Sequence, residues 1–375
     1  MERNTAPMRK RTLASVAAIT IIVLVAWALP VALADAPPQT EPMYTLRQRM
    51  GVNVAPVFGG HADYPGTLSE FANVEQVGFG WYSDWWIRVN PETPAGIEYA
   101  QLYQTGSWPA NWPRVEETIL ANPGALWIVG NEPETRGQGQ HTPEEYAERY
   151  HELYYFIKAV DPTAQIAIGG VVMPTPVRLR WIEMSMDHYE TTYGETMPVD
   201  VWNTHIQILQ EKRGDWGCGI PYGLDDDEGR LYEIIDNCSA DQFEQLIYEF
   251  CAWLVAHGER DKPLIISEYG VLMPSDYLPH GDQSVVDFMV RTFDFMMGAR
   301  DPQLGYAADD GRLVQRWLWF SLNFPFHERT PGGFNGALYD WEQPDELTIF
   351  GEYYQMTVNK WEQDYHAYLP SLRVR

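Results

Sequence analysis

Two glutamates stand at the ends of short apolar runs, and their type and setting suit acid–base chemistry. The run Leu126-Trp-Ile-Val-Gly-Asn-Glu-Pro-Glu134 ends abruptly in the amide of Asn131 and the carboxylate of Glu132, and Pro133 stops a strand from continuing. A second run of the same design, Pro263-Leu-Ile-Ile-Ser-Glu-Tyr-Gly270, carries Glu268, 136 residues further on. A carboxyl at the end of each of two buried strands can divide labour. One protonates a leaving oxygen while the other attacks or activates water, and the two tasks need different pKa values at one pH. His205 closes a third such run, Asp200-Val-Trp-Asn-Thr-His-Ile-Gln207.

The elements that must position these residues alternate along the chain. Strand-like runs fall near 50–55, 77–82, 97–103, 125–130, 164–170, 198–204, 263–268 and 316–322. Most are rich in Val, Ile, Leu or Trp with little polar alternation, as strands buried on both faces of a parallel sheet require. Between them, Thr142-Pro-Glu-Glu145 is a capping box opening a helix to about Ala159, and Ser239-Ala-Asp-Gln242 opens another to His257. Further helices are expected near 112–121, 178–192, 282–298 and 347–361. Eight strand–helix units predict an α/β (β/α)8 TIM barrel, a single domain over residues 43–375. The segment 83–96 fits least well, because Pro91 and Pro94 leave little room for a helix. An open doubly wound sheet is the rival, but no Gly-rich phosphate turn follows the first strand. In the barrel count Glu132 ends strand four and Glu268 ends strand seven. They would face each other across the C-terminal mouth, a geometry that suits glycoside hydrolysis.

At these residues the chain resembles glycoside hydrolase clan A, the retaining barrel glycosidases that include cellulases, mannanases, β-glucanases and β-xylosidases. Asn131-Glu132-Pro133 and the strand carrying Glu268 look like that clan's two signature sites. The resemblance implies that Glu132 is the acid/base, Glu268 the nucleophile and Asn131 the donor to the sugar's 2-hydroxyl. It implies cleavage of β-glycosidic bonds with retention, without metal or organic cofactor. The clan often carries His and then Tyr two positions later, the Tyr bonding the nucleophile; here His205 is followed by Gln207. Gln207, Tyr269 and Tyr103 are the candidates to fill that place, and His205 has a core role as its alternative. Trp319 matches the clan's strand-eight tryptophan beneath the sugar, although Trp317 points the same way and one of the two is open to a core role. A carbohydrate-binding surface barrel without catalysis is the rival reading, and the missing tyrosine is its support.

Aromatic supply fits a sugar cleft: of 15 Trp residues, Trp81 and Trp216 are taken as candidate sugar contacts, and Trp85, Trp86 and Trp108 also fall near strand ends or loops. The whole chain carries −26, and without residues 1–34, which hold four basic side chains and one acidic, the remainder carries −29. Such a surface repels nucleic acid and anionic lipid but not an oligo- or polysaccharide. Residues 1–34 place Arg3, Arg9, Lys10 and Arg11 before an apolar run and end in Ala32-Leu-Ala34, which reads as an export signal or an uncleaved anchor. Residues 35–42 read as a linker. The expected location is therefore extracellular or at the cell surface, as a monomer, with no membrane contact beyond that anchor. Cys218 and Cys238 are candidates for a disulfide, and Cys251 for a buried thiol. No CxxC, HExxH or Cys/His cluster points to a metal.

Overall fold

The computed structural model describes residues 43–58, 61, 63–326 and 333–372, with side chains to residue 364. The predicted export segment 1–34 and linker 35–42 lie outside the described residues. No helix among those described is long and apolar enough to cross a membrane.

The strands are β1 Met50–Asn53, β2 Trp81–Ser83, β3 Glu98–Tyr99, β4 Gln101–Tyr103, β5 Leu126–Asn131, β6 Gln165–Gly170, β7 Trp202–Ile206, β8 Leu264–Tyr269, β9 Arg316–Trp319, β10 Tyr339–Asp340 and β11 Gln343–Leu347. The helices are α1 Leu46–Arg49, α2 Trp112–Ala121, α3 Pro143–Val160, α4 Pro176–Tyr193, α5 Ala240–Ala256, α6 Asp282–Gly298 and α7 Ile349–Leu372. The strands β1 to β9 pair in parallel. One sheet runs β3-β2-β1-β9-β8-β7 and another β4-β5-β6. Only Ala100 separates β3 from β4, and a parallel bridge joins Ala167 of β6 to Val201, just before β7. This is a parallel α/β fold with strand and helix alternating, except that 84–97 holds a single 3-10 turn, as Pro91 and Pro94 predict.

Strand ends shift where backbone chemistry dictates. The run expected at 77–82 begins only at Trp81, because Gly78 lies at φ 99°, outside any strand conformation. The small antiparallel pair β10–β11 was not anticipated. Helix starts follow their caps: the Thr142 hydroxyl accepts from Glu145 N–H ahead of Pro143, and the Ser239 hydroxyl accepts from Gln242 N–H.

Alternation along the strands divides the apolar residues into two layers. Outward residues such as Trp127, Ile166, Trp202, Trp317 and Trp319 pack against the helices. The inward alternates Trp81, Leu102, Ile128, Ala167, Ile265 and Leu318 form a separate inner cluster with Ala100 and Val201. On β1 the inner position is Gly51, where a Cβ would collide with Leu318 and Trp81. A bare Cα there leaves room for the indole that plugs this layer. Glycine is required for that close approach, not for its torsion. Above the plug, toward the C-terminal strand ends, the inward residues turn polar: Asn53, Asn203, His205 and Ser267, all buried.

Candidate active site

Glu132 follows β5 directly and sits at φ 42°, in the left-handed region that a glutamate seldom adopts. Such a residue costs about 1–3 kcal/mol and persists only where its surroundings over-determine it. Here the Glu132 N–H donates to Gly170 O at 3.0 Å, and its own carbonyl accepts from Thr135 and Gly139 N–H at 3.0 and 3.2 Å. Trp85, φ 64°, is a second strained residue facing the same space.

Glu268 comes from a β-bulge. On β8, Ile266 pairs with Thr204 but Glu268 pairs with His205, leaving Ser267 as an extra residue, and the register also slips against β9. The extra residue re-aims the side chains that follow. The Ser267 hydroxyl lies 3.1 Å from His205 Nε2, Glu268 faces the cleft, and Tyr269 turns outward. The bulge is pinned from two sides, by Asn53 Nδ2 donating to Ser267 O and by Ser267 N–H donating to Asn203 Oδ1, both at 3.1 Å.

The two carboxylates and His205 converge. One oxygen of each glutamate and one ring nitrogen of His205 lie within 4.8 Å of one another. His205, 1 % exposed, places Nδ1 3.2 Å from Glu132 Oε1. Its ring occupies the space a side chain at Gly170 would fill. Glu268 Oε1 accepts from Gln207 Nε2 at 2.8 Å and Oε2 accepts from Trp85 Nε1 at 2.9 Å. Among the described residues these three also form the one group of side chains close enough to share a metal ion. Both His205 nitrogens and both Glu268 oxygens are already hydrogen-bonded within the protein, an arrangement suited to proton handling.

Environment separates the two carboxyls. Burial raises Glu132 to about 7, opposed by the Arg178 guanidinium. Burial also raises Glu268, and Glu132 adds to the rise, but His205 and the donors Trp85 and Gln207 hold it to about 6. Burial lowers His205 below its ordinary value, so the ring is neutral at pH 7. Glu268 therefore ionises first and Glu132 keeps its proton longer.

Both glutamates open onto a cleft of about 490 Å³. Its lining includes the aromatic rings of Trp85, Trp86, Phe320, Phe324 and Phe334 and the polar side chains of Asn131, Thr135, Arg136, Gln138 and Gln104. Of the residues singled out from sequence, Asn131, Glu132, Gln207 and Glu268 line this cleft together, and His205 joins the two carboxylates from behind. Trp216 is half-buried beside Gly217, which lines the cleft where Trp216 does not.

Four expectations are corrected. Trp319 is fully buried, donates its indole N–H to Gly336 O and packs on Tyr269, Phe288 and Phe293, so no face is free for a sugar. Strand alternation instead turns Phe320 inward, 5.9 Å from Trp85 ring to ring. Tyr269 follows the bulge on the outward face and packs on Phe243 and Phe288, away from Glu268. Trp81 is 1 % exposed and plugs the inner apolar layer. Cys218 and Cys238 are free thiols, lying near Gln210 O at 3.6 Å and Ile235 O at 3.4 Å respectively. Cys218 lies at the cleft edge, whereas Cys238 ends the turn before α5. Trp85 as a partner of Glu268, and Phe320, were missed as individual roles. The Trp317-Leu-Trp-Phe320 alternation marks Phe320, but no local signal ties Trp85 to a residue 183 positions away.

No protein-family model matches the sequence, and no curated protein matches it. Solved structures do resemble the fold. A GH128 subgroup II endo-β-1,3-glucanase from Pseudomonas viridiflava aligns with a TM-score of 0.53 at 16% identity, over 82% of this chain and 96% of that one. A GH128 subgroup I endo-β-1,3-glucanase from Amycolatopsis mediterranei, in complex with laminaritriose, gives 0.51 at 17% identity over 83% and 99%. A glucosidase from Croceicoccus marinus gives 0.53 at 13% identity over 85% and 69%. At such identities the likeness is one of architecture: the chain has a parallel α/β fold like that of these TIM-barrel glycosidases, with no subfamily singled out.

Proposed function

We propose that this chain is an exported glycoside hydrolase that cleaves β-glycosidic bonds with retention, on a barrel closed by the contact between β6 and β7. The observation that carries the reading is the facing pair Glu132 and Glu268, with oxygens no more than 4.8 Å apart in an open cleft. Retaining enzymes hold their carboxyls about 5–5.5 Å apart, whereas inverting ones need about 6.5–9.5 Å to admit a water. The spacing therefore favours retention. The glycosidase character of the similar folds supports the same class, and their β-1,3-glucans are the first substrates to try.

The roles follow from the surroundings of each carboxyl. Glu268, held by Trp85 and Gln207 and ionised first, attacks the anomeric carbon. Glu132, buried and protonated up to about pH 7, gives its proton to the departing oxygen. The resulting carboxylate then takes a proton from water, which releases the sugar from Glu268. His205, neutral and bonded to Glu132, orients the acid. Gln207 and Trp85 supply the donors expected from the absent tyrosine, so a purely binding role finds no support in its loss.

The test is a panel of polysaccharides and aryl β-glycosides, run with the mature protein and with Glu268→Ala. Hydrolysis with the anomeric configuration retained in the first product, abolished by the substitution, is expected. Activity that survives Glu268→Ala would remove Glu268 from the mechanism, and an inverted product would remove the covalent step.

A further inference from the structure

We propose that Ser267 is a positioning residue: its hydroxyl donates to His205 Nε2 and fixes the ring as the Nδ1–H tautomer, so that Glu132 carries its proton on Oε2, toward the cleft. The use made of that proton rests on the glycosidase reading above. The orientation of the ring follows from its neighbours. Nδ1 lies 3.2 Å from Glu132 Oε1 and Nε2 lies 3.1 Å from Ser267 Oγ, and turning the ring over would set carbons against both oxygens. The neutral ring carries one proton, on one nitrogen or the other. Were it on Nε2, that N–H would donate to Ser267 Oγ. The serine's own hydrogen would then have no acceptor, because the hydroxyl makes no other hydrogen bond among the described residues. Ser267 is 2 % exposed, and an unpaired donor at that depth is costly. With the proton on Nδ1, the serine donates to Nε2, Nδ1–H donates to Oε1, and each group is paired.

That tautomer decides where the acid holds its proton. Oε1 accepts from Nδ1–H, so the hydrogen of the carboxyl belongs on Oε2. Glu132 lines the cleft with 11 % of its side chain exposed, and its Oε2 makes no hydrogen bond within the protein and is not sealed from solvent. The opposite tautomer would present the Nδ1 lone pair to Oε1, draw the proton there and point it back into the protein. It would also set that lone pair against a carboxylate once the proton had left. Nδ1–H suits Glu132 in both states, before and after it protonates the departing oxygen. Ser267 reaches His205 because it is the extra residue of the bulge, so the irregularity that aims Glu268 also supplies the donor to Nε2. Asn53 and Asn203 pin its backbone independently of the hydroxyl, which can be removed with the bulge left in place.

The first measurement is the tautomer itself, read at pH 7 from nitrogen–proton NMR correlations of protein carrying nitrogen-labelled histidine, with the His205 signals identified by their loss in His205→Gln. Wild type is expected to hold the proton on Nδ1. In Ser267→Ala the two ring nitrogens are expected to move toward a common averaged shift as Nε2–H gains a share. A wild-type proton on Nε2, or a His205 spectrum unchanged by Ser267→Ala, would overturn the inference. The second measurement is kcat/KM across aryl β-glycosides of graded leaving-group acidity. A misplaced proton matters most where the departing oxygen needs it. Ser267→Ala is therefore expected to lose about tenfold on the least acidic phenol and less on dinitrophenol, steepening the dependence. A merely structural role would lower all rates together, so a parallel loss across the series overturns this inference alone. A wild type that hydrolyses no glycoside overturns the glycosidase reading, while the spectrum still decides the tautomer.

Discussion

Burial raises the Glu132 carboxyl to about 7 although the Arg178 guanidinium pulls it down, so at neutral pH the folded protein holds a proton that the unfolded chain has released. Below the ordinary value of 4.5 both states are protonated and the side chain contributes nothing to pH dependence. As pH rises from there toward 7 the unfolded state is increasingly favoured, and above that the cost is complete. A protonated carboxyl at the cleft is thus maintained against stability. Glu132→Gln, which cannot ionise, should stabilise the protein at pH 8 by on the order of 1–3 kcal/mol and by almost nothing near pH 4. Urea midpoints of both proteins at the two pH values check this. A wild type more stable than the variant at pH 8 would mean that Glu132 is not held in an environment hostile to its charge.

Each strand end serves the site only because the pleat, or a break in it, aims the side chain. On β9 the alternation buries Trp317 and Trp319 against the helices and turns Phe320 into the cleft. Trp319→Phe should therefore lose about 1–3 kcal/mol of stability, through a lost hydrogen bond to Gly336 O and a residual cavity, with KM unchanged. Phe320→Leu should raise KM severalfold, since the flat ring beside Trp85 is removed from the cleft wall. Denaturation curves and steady-state kinetics on the two variants separate the roles, and the reverse pattern would restore Trp319 as the sugar platform. The same strand marks how far the sequence could be read. Apolar runs ending in Glu132, His205 and Glu268 were legible, as were the helices, because period and caps are local signals. The bulge at Ser267 was not, since an extra residue is defined only against the partner strand; it decides that Glu268 faces in and Tyr269 faces out. Nor was the partner of Glu268 legible beyond a list of candidates, because Trp85 and Gln207 meet it only through the assembled sheet.

Across the whole molecule, acidic residues outnumber basic ones 52 to 26, yet among the described residues Arg49, Arg178 and Arg316 are buried, and Arg178 is the one with no exposed surface. Arg178 of α4 bonds Glu134, two residues past Glu132, through Nε at 2.9 Å, and also bonds Glu211 in the long segment between β7 and α5. All three side chains are fully buried. Glu134 also accepts from Val172 N–H at 2.9 Å, and Glu211 from the Thr175 hydroxyl at 2.5 Å and Arg230 N–H at 2.7 Å. One guanidinium therefore ties the turn after β5, the start of α4 and the segment that borders the cleft at Gly217 and Cys218. Two carboxylates against one cation leave no surplus charge to absorb its loss. Removing it strands buried acids, which typically costs about 3–5 kcal/mol. Arg178→Met should lower the urea midpoint accordingly and expose the segment 211–230 to limited proteolysis before the rest of the domain is cut. Arg178→Lys, a point charge without the fork that reaches both glutamates, should recover only part of the loss. An Arg178→Met protein with an unchanged midpoint and an uncut segment would show that packing and the remaining hydrogen bonds hold these three segments without the guanidinium.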